Sequence, residues 1–168
     1  LVNPRACHET ELTYAPAPRP KNIAVVGAGP AGMMTAIVAA ERGHRVTLFD
    51  KAPEVGGQLN LAKQVPGKEE FHGLVTWFET MLQAPGITLR LGQEATARDL
   101  QGFDEVVIAT GVTPRDPEIP TEPGSTVLSY IDVLKGAPVG RRVAVVGAGG
   151  IGFDVAEALV HEGTSPTL

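Results

Sequence analysis

The chain has 168 residues, a formal net charge of −5 and one cysteine, Cys7. Mild acidity without a run of Lys or Arg argues against nucleic acid or an anionic membrane as partner. A lone cysteine excludes an intrachain disulfide and a metal site built on paired cysteines, and it fits a reducing, cytoplasmic setting. Residues 1–21 read as an arm, whose YAPAPRP stretch at 14–20 favours an extended, polyproline-like linker. A strand is predicted over 22–26, a helix over 30–42 with Gly43 as its C-cap, and a strand over 45–49 that closes at Asp50. Residues 22–40 are apolar enough to suggest a membrane span, but Gly27, Gly29 and Pro30 interrupt them where a buried strand gives way to a buried helix.

GGQLN at 56–60 reads as a glycine loop. Phe71, Leu74, Val75, Phe78 and Leu82 recur at three- and four-residue steps, with Trp77 beside them, and predict an amphipathic helix over 68–83 with its stripe in the core. Strands follow at 87–91, 93–97 and 105–109, the last running into Ala109-Thr110-Gly111. Pro114, Pro117, Pro120 and Pro123 mark 112–124 as a loop or hinge. A short strand or turn and a helix are expected over 127–135, then a strand over 142–146 and a helix over 150–161.

Two of the predicted strand-to-helix turns carry the same glycine fingerprint: VVGAGPAG with Gly27, Gly29 and Gly32, and VVGAGGIG with Gly147, Gly149 and Gly152. In this context the first glycine permits a tight turn, the second lets backbone approach a pyrophosphate, and the third lets the helix sit close to the strand. Orphan amides around Pro30 and Ala31, at the positive end of the helix dipole, favour a phosphate. Asp50 stands about 20 residues beyond the glycines, where a carboxylate accepts bonds from adenosine ribose hydroxyls and repels a 2′-phosphate. Gly56 and Gly57 let the backbone curl towards a ligand, Gln58 offers an amide to phosphate or ribose, and Thr110 ends a buried strand beside the cofactor. The expected fold is α/β: a Rossmann-like FAD/NAD(P)-binding fold with a central parallel sheet in three layers, ending partway through its second unit. The divisions expected are the arm at 1–21, an FAD-binding part at 22–138 and the opening strand and helix of an NAD(P)-binding part at 139–168. The chain opens on Leu1 and stops soon after the second fingerprint, so it reads as a piece of a larger protein. His8, His44, His72 and His161 lack metal-ligand spacing, no nucleophile elbow or general-base pair is present, and neither a catalytic nor a metal residue is expected in these residues.

In order along the chain, LVNPRACHE, AVVGAGPAG, TLFD, GGQLNLAKQVPGKEEF, VIATGVTPR and AVVGAGGIGFD closely resemble the C-terminal flavin/nicotinamide part of the bacterial NADPH-dependent 2,4-dienoyl-CoA reductases. That family stands with trimethylamine dehydrogenase and the enoate reductases. The resemblance implies FAD in this part taking hydride from NADPH, with a 4Fe–4S cluster, FMN and the dienoyl-CoA site in the rest of the parent enzyme. It implies cofactor contacts from Gly27, Gly29, Pro30, Ala31, Gly32, Asp50, Lys51, Gly57 and Gln58, a cationic contact from Lys68, backbone at Ala95 near the adenine, and closure by Thr110 and Gly111. Gly147, Gly149 and Gly152 would serve NADPH, at a site incomplete within these residues. Two other readings stay open: a trimethylamine-dehydrogenase-like protein holding ADP, and a cofactor-free structural fragment that self-associates through exposed sheet edges.

Overall fold

The computed structural model describes residues 5–161. Its elements in chain order are β1 (Asn22–Val26), α1 (Pro30–Glu41), β2 (Arg45–Phe49), α2 (Leu59–Ala62), α3 (Glu70–Met81), β3 (Ile87–Arg90), β4 (Glu105–Ile108), α4 (Tyr130–Leu134) and α5 (Gly150–His161). The described parts of Leu1–Leu59 and Gly73–Val112 form one compact unit, and those of Asn60–His72 and Thr113–Leu168 form a second.

The first unit is built on a four-stranded parallel sheet in the order β3-β2-β1-β4. Parallel neighbours need a crossover, and α1 supplies the one between β1 and β2. In that register Ile23 lies beside Val46 and Val25 beside Leu48, so these four residues share one face. They pack with Met33, Ala36 and Ile37 of α1 and with Phe78 and Leu82 into one core. Phe78 is fully buried, and removing such a ring from water is worth about 2–3 kcal/mol. On the opposite face Phe49 meets Phe103 edge-on, with ring centroids 6.1 Å apart.

Helix α1 ends as the sequence predicts. Gly43 takes φ +92°, its N–H donates to Ala40, and the His44 N–H donates to Ala39. This is a Schellman closure, which satisfies two carbonyls that the helix leaves orphaned.

The described part of the arm forms no helix or strand and is tied to the end of α1: the Ala17 N–H donates to the Arg42 carbonyl at 2.8 Å, Arg42 Nε donates to the Ala15 carbonyl at 3.0 Å, and the Lys21 N–H donates to His44 Nδ1 at 3.1 Å. Arm amides donate two of these bonds and an arm carbonyl accepts the third. Other sequence expectations need correction. No strand forms at 93–97, because the Thr96 N–H and hydroxyl turn onto the Asp99 carboxylate. Residues 142–146 join no ladder among the described residues, and Val146 is exposed; a strand needs a neighbour to exchange hydrogen bonds, which an apolar pattern alone does not supply. The glycine loop at 56–60 runs directly into α2, which the periodicity did not reveal because it is a single turn.

The second unit contains α4 and α5, and α4 carries a complete capping box. The Asp132 N–H donates to Ser129 Oγ, while the Ser129 N–H and hydroxyl donate to the Asp132 carboxylate. The hydroxyl first, and then the amide, hold the Asp132 carboxyl below its ordinary 3.8. A carboxyl lowered on folding contributes stability above its unfolded value and loses it as pH falls through the folded one. Amide protection in α4 is therefore expected to stay constant between about pH 7 and about pH 5 and to fall only in stronger acid. In Ser129→Ala the larger part of that pH dependence is lost with the hydroxyl, while the part due to the backbone amide remains. Hydrogen exchange followed from about pH 7 into the acid range below about pH 4 checks both outcomes. No helix among the described residues is long and apolar enough to cross a membrane.

Candidate functional site

The first fingerprint lies at the carboxyl end of β1, where open parallel sheets bind ligands. Gly27 takes φ +108°, which an L side chain rarely adopts. A Cβ there would lie 2.2 Å from the Ala109 carbonyl oxygen, so the turn and the end of β4 touch backbone to backbone. At Gly32 a Cβ would lie 1.8 Å from the Gly27 carbonyl oxygen, which presses the start of α1 against the turn. At Gly29 nothing lies within 4 Å of that position. Gly29 also has φ −74° and ψ −179°, extended backbone open to any residue. Neither the fold nor the backbone therefore requires glycine there, and the open space is where a ligand would approach.

Pro30 opens α1, where its missing N–H is no loss because first-turn amides have no intrahelical partner. Ala31 follows exposed and Gly32 buried. Gly56 and Gly57 come from a distant loop to the same turn. The Gly56 N–H donates to the Ala28 carbonyl at 2.9 Å, and a Cβ on Gly57 (φ +54°) would stand 3.0 Å from Gly29 Cα.

Asp50 is half-buried and doubly bonded: its carboxylate accepts from the Ala28 N–H inside the glycine turn and from the Ala52 N–H at 2.8 Å. A carboxylate offers about four lone-pair positions, so two bonds leave capacity for ribose hydroxyls. The chain after β3 closes on the same residue, with the Gln93 N–H donating to the Asp50 carbonyl at 3.0 Å and the Gly92 N–H to the Ala52 carbonyl at 2.8 Å. Ala95 follows two residues on, and Lys51 is exposed beside Asp50. Gln58 directs its amide at protein: Nε2 donates to the Val112 carbonyl at 3.3 Å.

The first unit thus gathers Gly27, Gly29, Pro30, Ala31, Gly32, Asp50, Gly57 and Thr110 around one turn, with Gly111 next in the chain. Lys68 belongs to the second unit, where its ammonium pairs with Asp154 of α5 at 2.7 Å. Nothing in the sequence signals that partner. The second fingerprint repeats the local geometry of the first. Gly147 takes φ +125°, a Cβ on Gly152 would lie 2.1 Å from the Gly147 oxygen, and the Gly149 carbonyl accepts from the Phe153 N–H at 3.2 Å. Among the described residues no group of three or more His, Cys, Asp or Glu is placed to hold a metal ion.

These features suit a dinucleotide. The amides at the start of α1 and the dipole behind them favour a pyrophosphate, the space over Gly29 admits it, and Asp50 has acceptors left for a ribose.

The family model for pyridine nucleotide-disulphide oxidoreductases matches residues 21–168. A metal reductase of Desulforamulus reducens is 39% identical over 98% of this chain and 26% of its own length. The solved complex of a 2-naphthoyl-CoA reductase with 2-naphthoyl-CoA superposes with a TM-score of 0.89 at 34% identity, over 98% of this chain and 26% of that one. Histamine dehydrogenase from Rhizobium sp. 4-9 gives a TM-score of 0.80 at 25% identity, over 93% of this chain and 26% of that one. The chain therefore spans about a quarter of the length of the relatives it matches. By the extent of these matches, the chain belongs to the pyridine nucleotide-disulphide oxidoreductase family.

Proposed function

We propose that this chain is the FAD-binding part of an NADPH-dependent reductase acting on a conjugated acyl-CoA, of the 2,4-dienoyl-CoA reductase kind. The observation that carries the reading is the joint placement of the open Gly29 turn, the start of α1 and Asp50. The 2-naphthoyl-CoA complex of a similar reductase supports the acyl-CoA class. When bound, FAD supplies acceptance of hydride from NADPH and release of single electrons, towards a 4Fe–4S cluster and FMN outside these residues.

The chain's own part is binding and orientation. Amides at Ala31 and Gly32 hold the pyrophosphate, the Asp50 carboxylate holds the adenosine ribose, and backbone near Ala95 borders the adenine. Thr110 and Gly111 close the pocket, and Lys51 adds positive charge at its rim. Lys68, paired with Asp154, acts next to the second fingerprint, where Gly147, Gly149 and Gly152 receive NADPH.

Histamine dehydrogenase among the similar structures favours one other reading, an amine-dehydrogenase-like parent in which the first fingerprint holds ADP. Heating the purified full-length protein and separating the released ligand by chromatography decides between them. FAD is expected, ADP alone would overturn the reading, and anaerobic bleaching of the flavin is expected with NADPH in preference to NADH.

A further inference from the structure

The sheet face turned away from α1 carries a cavity that the fingerprint turn does not use. Side chains alternate along β2, so Val46 and Leu48 enter the core with α1 while Arg45, Thr47 and Phe49 stand on the other face. The register of β3 places Thr88 beside Thr47. A cavity of about 500 Å³ opens there, and its lining includes Asn22, Arg45, Thr47, Thr88, Gln101 and Phe103. That volume is in the range of small-molecule sites. Asn22 and Arg45 begin β1 and β2, so the cavity lies towards the amino ends of the strands, whereas the glycine turn leaves the carboxyl end of β1. All of the lining belongs to the first compact unit.

The protein leaves most of the polar capacity around this cavity unused. Arg45 Nε donates to Asn22 Oδ1 at 2.8 Å, which fixes the guanidinium plane, and among the described residues both of its terminal amines lack an acceptor. The side chains of Thr47, Thr88 and Gln101 likewise have no hydrogen bond among the described residues. The two acids that follow Phe103 lie outside the lining and are engaged elsewhere: Asp104 accepts from the Asn22 N–H at 2.7 Å, and Glu105 from Lys21 Nζ at 2.6 Å. Among the described residues Arg45 is therefore the one charged side chain in the lining. A guanidinium held by one edge offers its remaining N–H groups to both oxygens of a carboxylate or a phosphate. Phe103, half-buried with its ring edge-on to Phe49, adds an apolar wall.

We propose that this cavity binds a small organic anion, whose carboxylate or phosphate pairs with Arg45 and whose apolar body lies against Phe103, while Thr47, Thr88 and Gln101 bond its polar edge. It is a second site, at the other end of the sheet from the proposed dinucleotide, and it does not depend on that reading.

The test uses the purified full-length protein with ADP and NADP in excess, so that neither fingerprint is open to the probe. Benzoate and phenyl phosphate carry one ring with two different anions, and benzyl alcohol carries the ring without charge. In saturation-transfer NMR titrations both anions are expected to bind in the range of about 1 mM, as suits probes of this size. The tighter of the two identifies the anion the site prefers, and benzyl alcohol is expected to show no binding. Arg45→Met should weaken both anions at least about tenfold, the scale of hydrogen bonds to a charged group. Thr47→Val combined with Thr88→Val keeps the shape, removes both hydroxyls and should weaken them about fivefold. Bound-cofactor content is expected to stay unchanged in both variants. If Arg45→Met does not fold, the threonine pair and benzyl alcohol decide. Absence of anion binding to the wild type, equal binding by wild type and variants, or binding of benzyl alcohol as tight as benzoate would each overturn the proposal. Release of ADP instead of FAD on heating would change the functional reading and leave this titration as it stands.

Discussion

Gly32→Ala is expected to lower the stability of the protein by on the order of 3 kcal/mol, measured by urea unfolding. The new methyl would sit 1.8 Å from the Gly27 carbonyl oxygen, which is backbone and has no rotamer to escape into. Gly27 cannot yield either: it is held at φ +108°, and its own Cβ position is 2.2 Å from the Ala109 oxygen. The strain therefore spreads into the contact between β1 and β4. Gly29→Ala is the informative contrast. Its backbone angles suit alanine and its Cβ position is open, so the stability change should stay within about 1 kcal/mol, the difference between glycine and alanine at a helix N-cap. Dinucleotide affinity, by contrast, should fall at least about tenfold, since the methyl enters the space proposed for the pyrophosphate. Equal destabilisation by the two substitutions would show that Gly29 serves the fold and not a ligand.

Asp50→Ala is expected to destabilise the ligand-free protein by about 2–3 kcal/mol, besides weakening nucleotide binding. The reason is the Ala28 N–H, which belongs to a residue with no exposed surface and has the Asp50 carboxylate as its acceptor. Without that acceptor a buried donor in the turn goes unsatisfied, and Ala52 loses its partner too. Asp50→Asn keeps the shape but replaces one acceptor oxygen with a donor, so it should fall between wild type and Asp50→Ala. A carboxylate serving ribose alone would leave the ligand-free protein's unfolding midpoint unchanged in both variants. Denaturation of the flavin-stripped protein separates the two cases, and titration with FAD measures the binding loss independently.

Local chemistry made much of this chain legible. Glycines at 27, 29 and 32 between a valine-rich run and a small-residue stretch mark a strand–turn–helix, and the Schellman glycine at 43 marks where that helix stops. The stripe that includes Phe78 and Leu82 was readable because a helix repeats its facing positions every three or four residues, and both residues are in the core. Strands proved less secure. Residues 142–146 have strand-like composition and 93–97 offer only Thr96 as a strand former, but in both cases a strand exists through its neighbour, and pairing depends on chain far away in sequence.

What the sequence determined by itself was the α/β class, the crossover from β1 to β2, and the glycine turn between them that is proposed to meet a dinucleotide, because each depends on residues a few positions apart. Only the tertiary structure decided why each glycine is glycine. Gly27 and Gly32 are held by backbone packing, Gly29 faces open space, and Gly57 packs on Gly29 from a separate loop. Tertiary structure alone also gave Asp50 the Ala28 amide, Gln58 the Val112 carbonyl and Lys68 the Asp154 carboxylate. Each of these contacts joins residues far apart in the chain, and no periodicity or spacing encodes such a meeting before the sheet has formed.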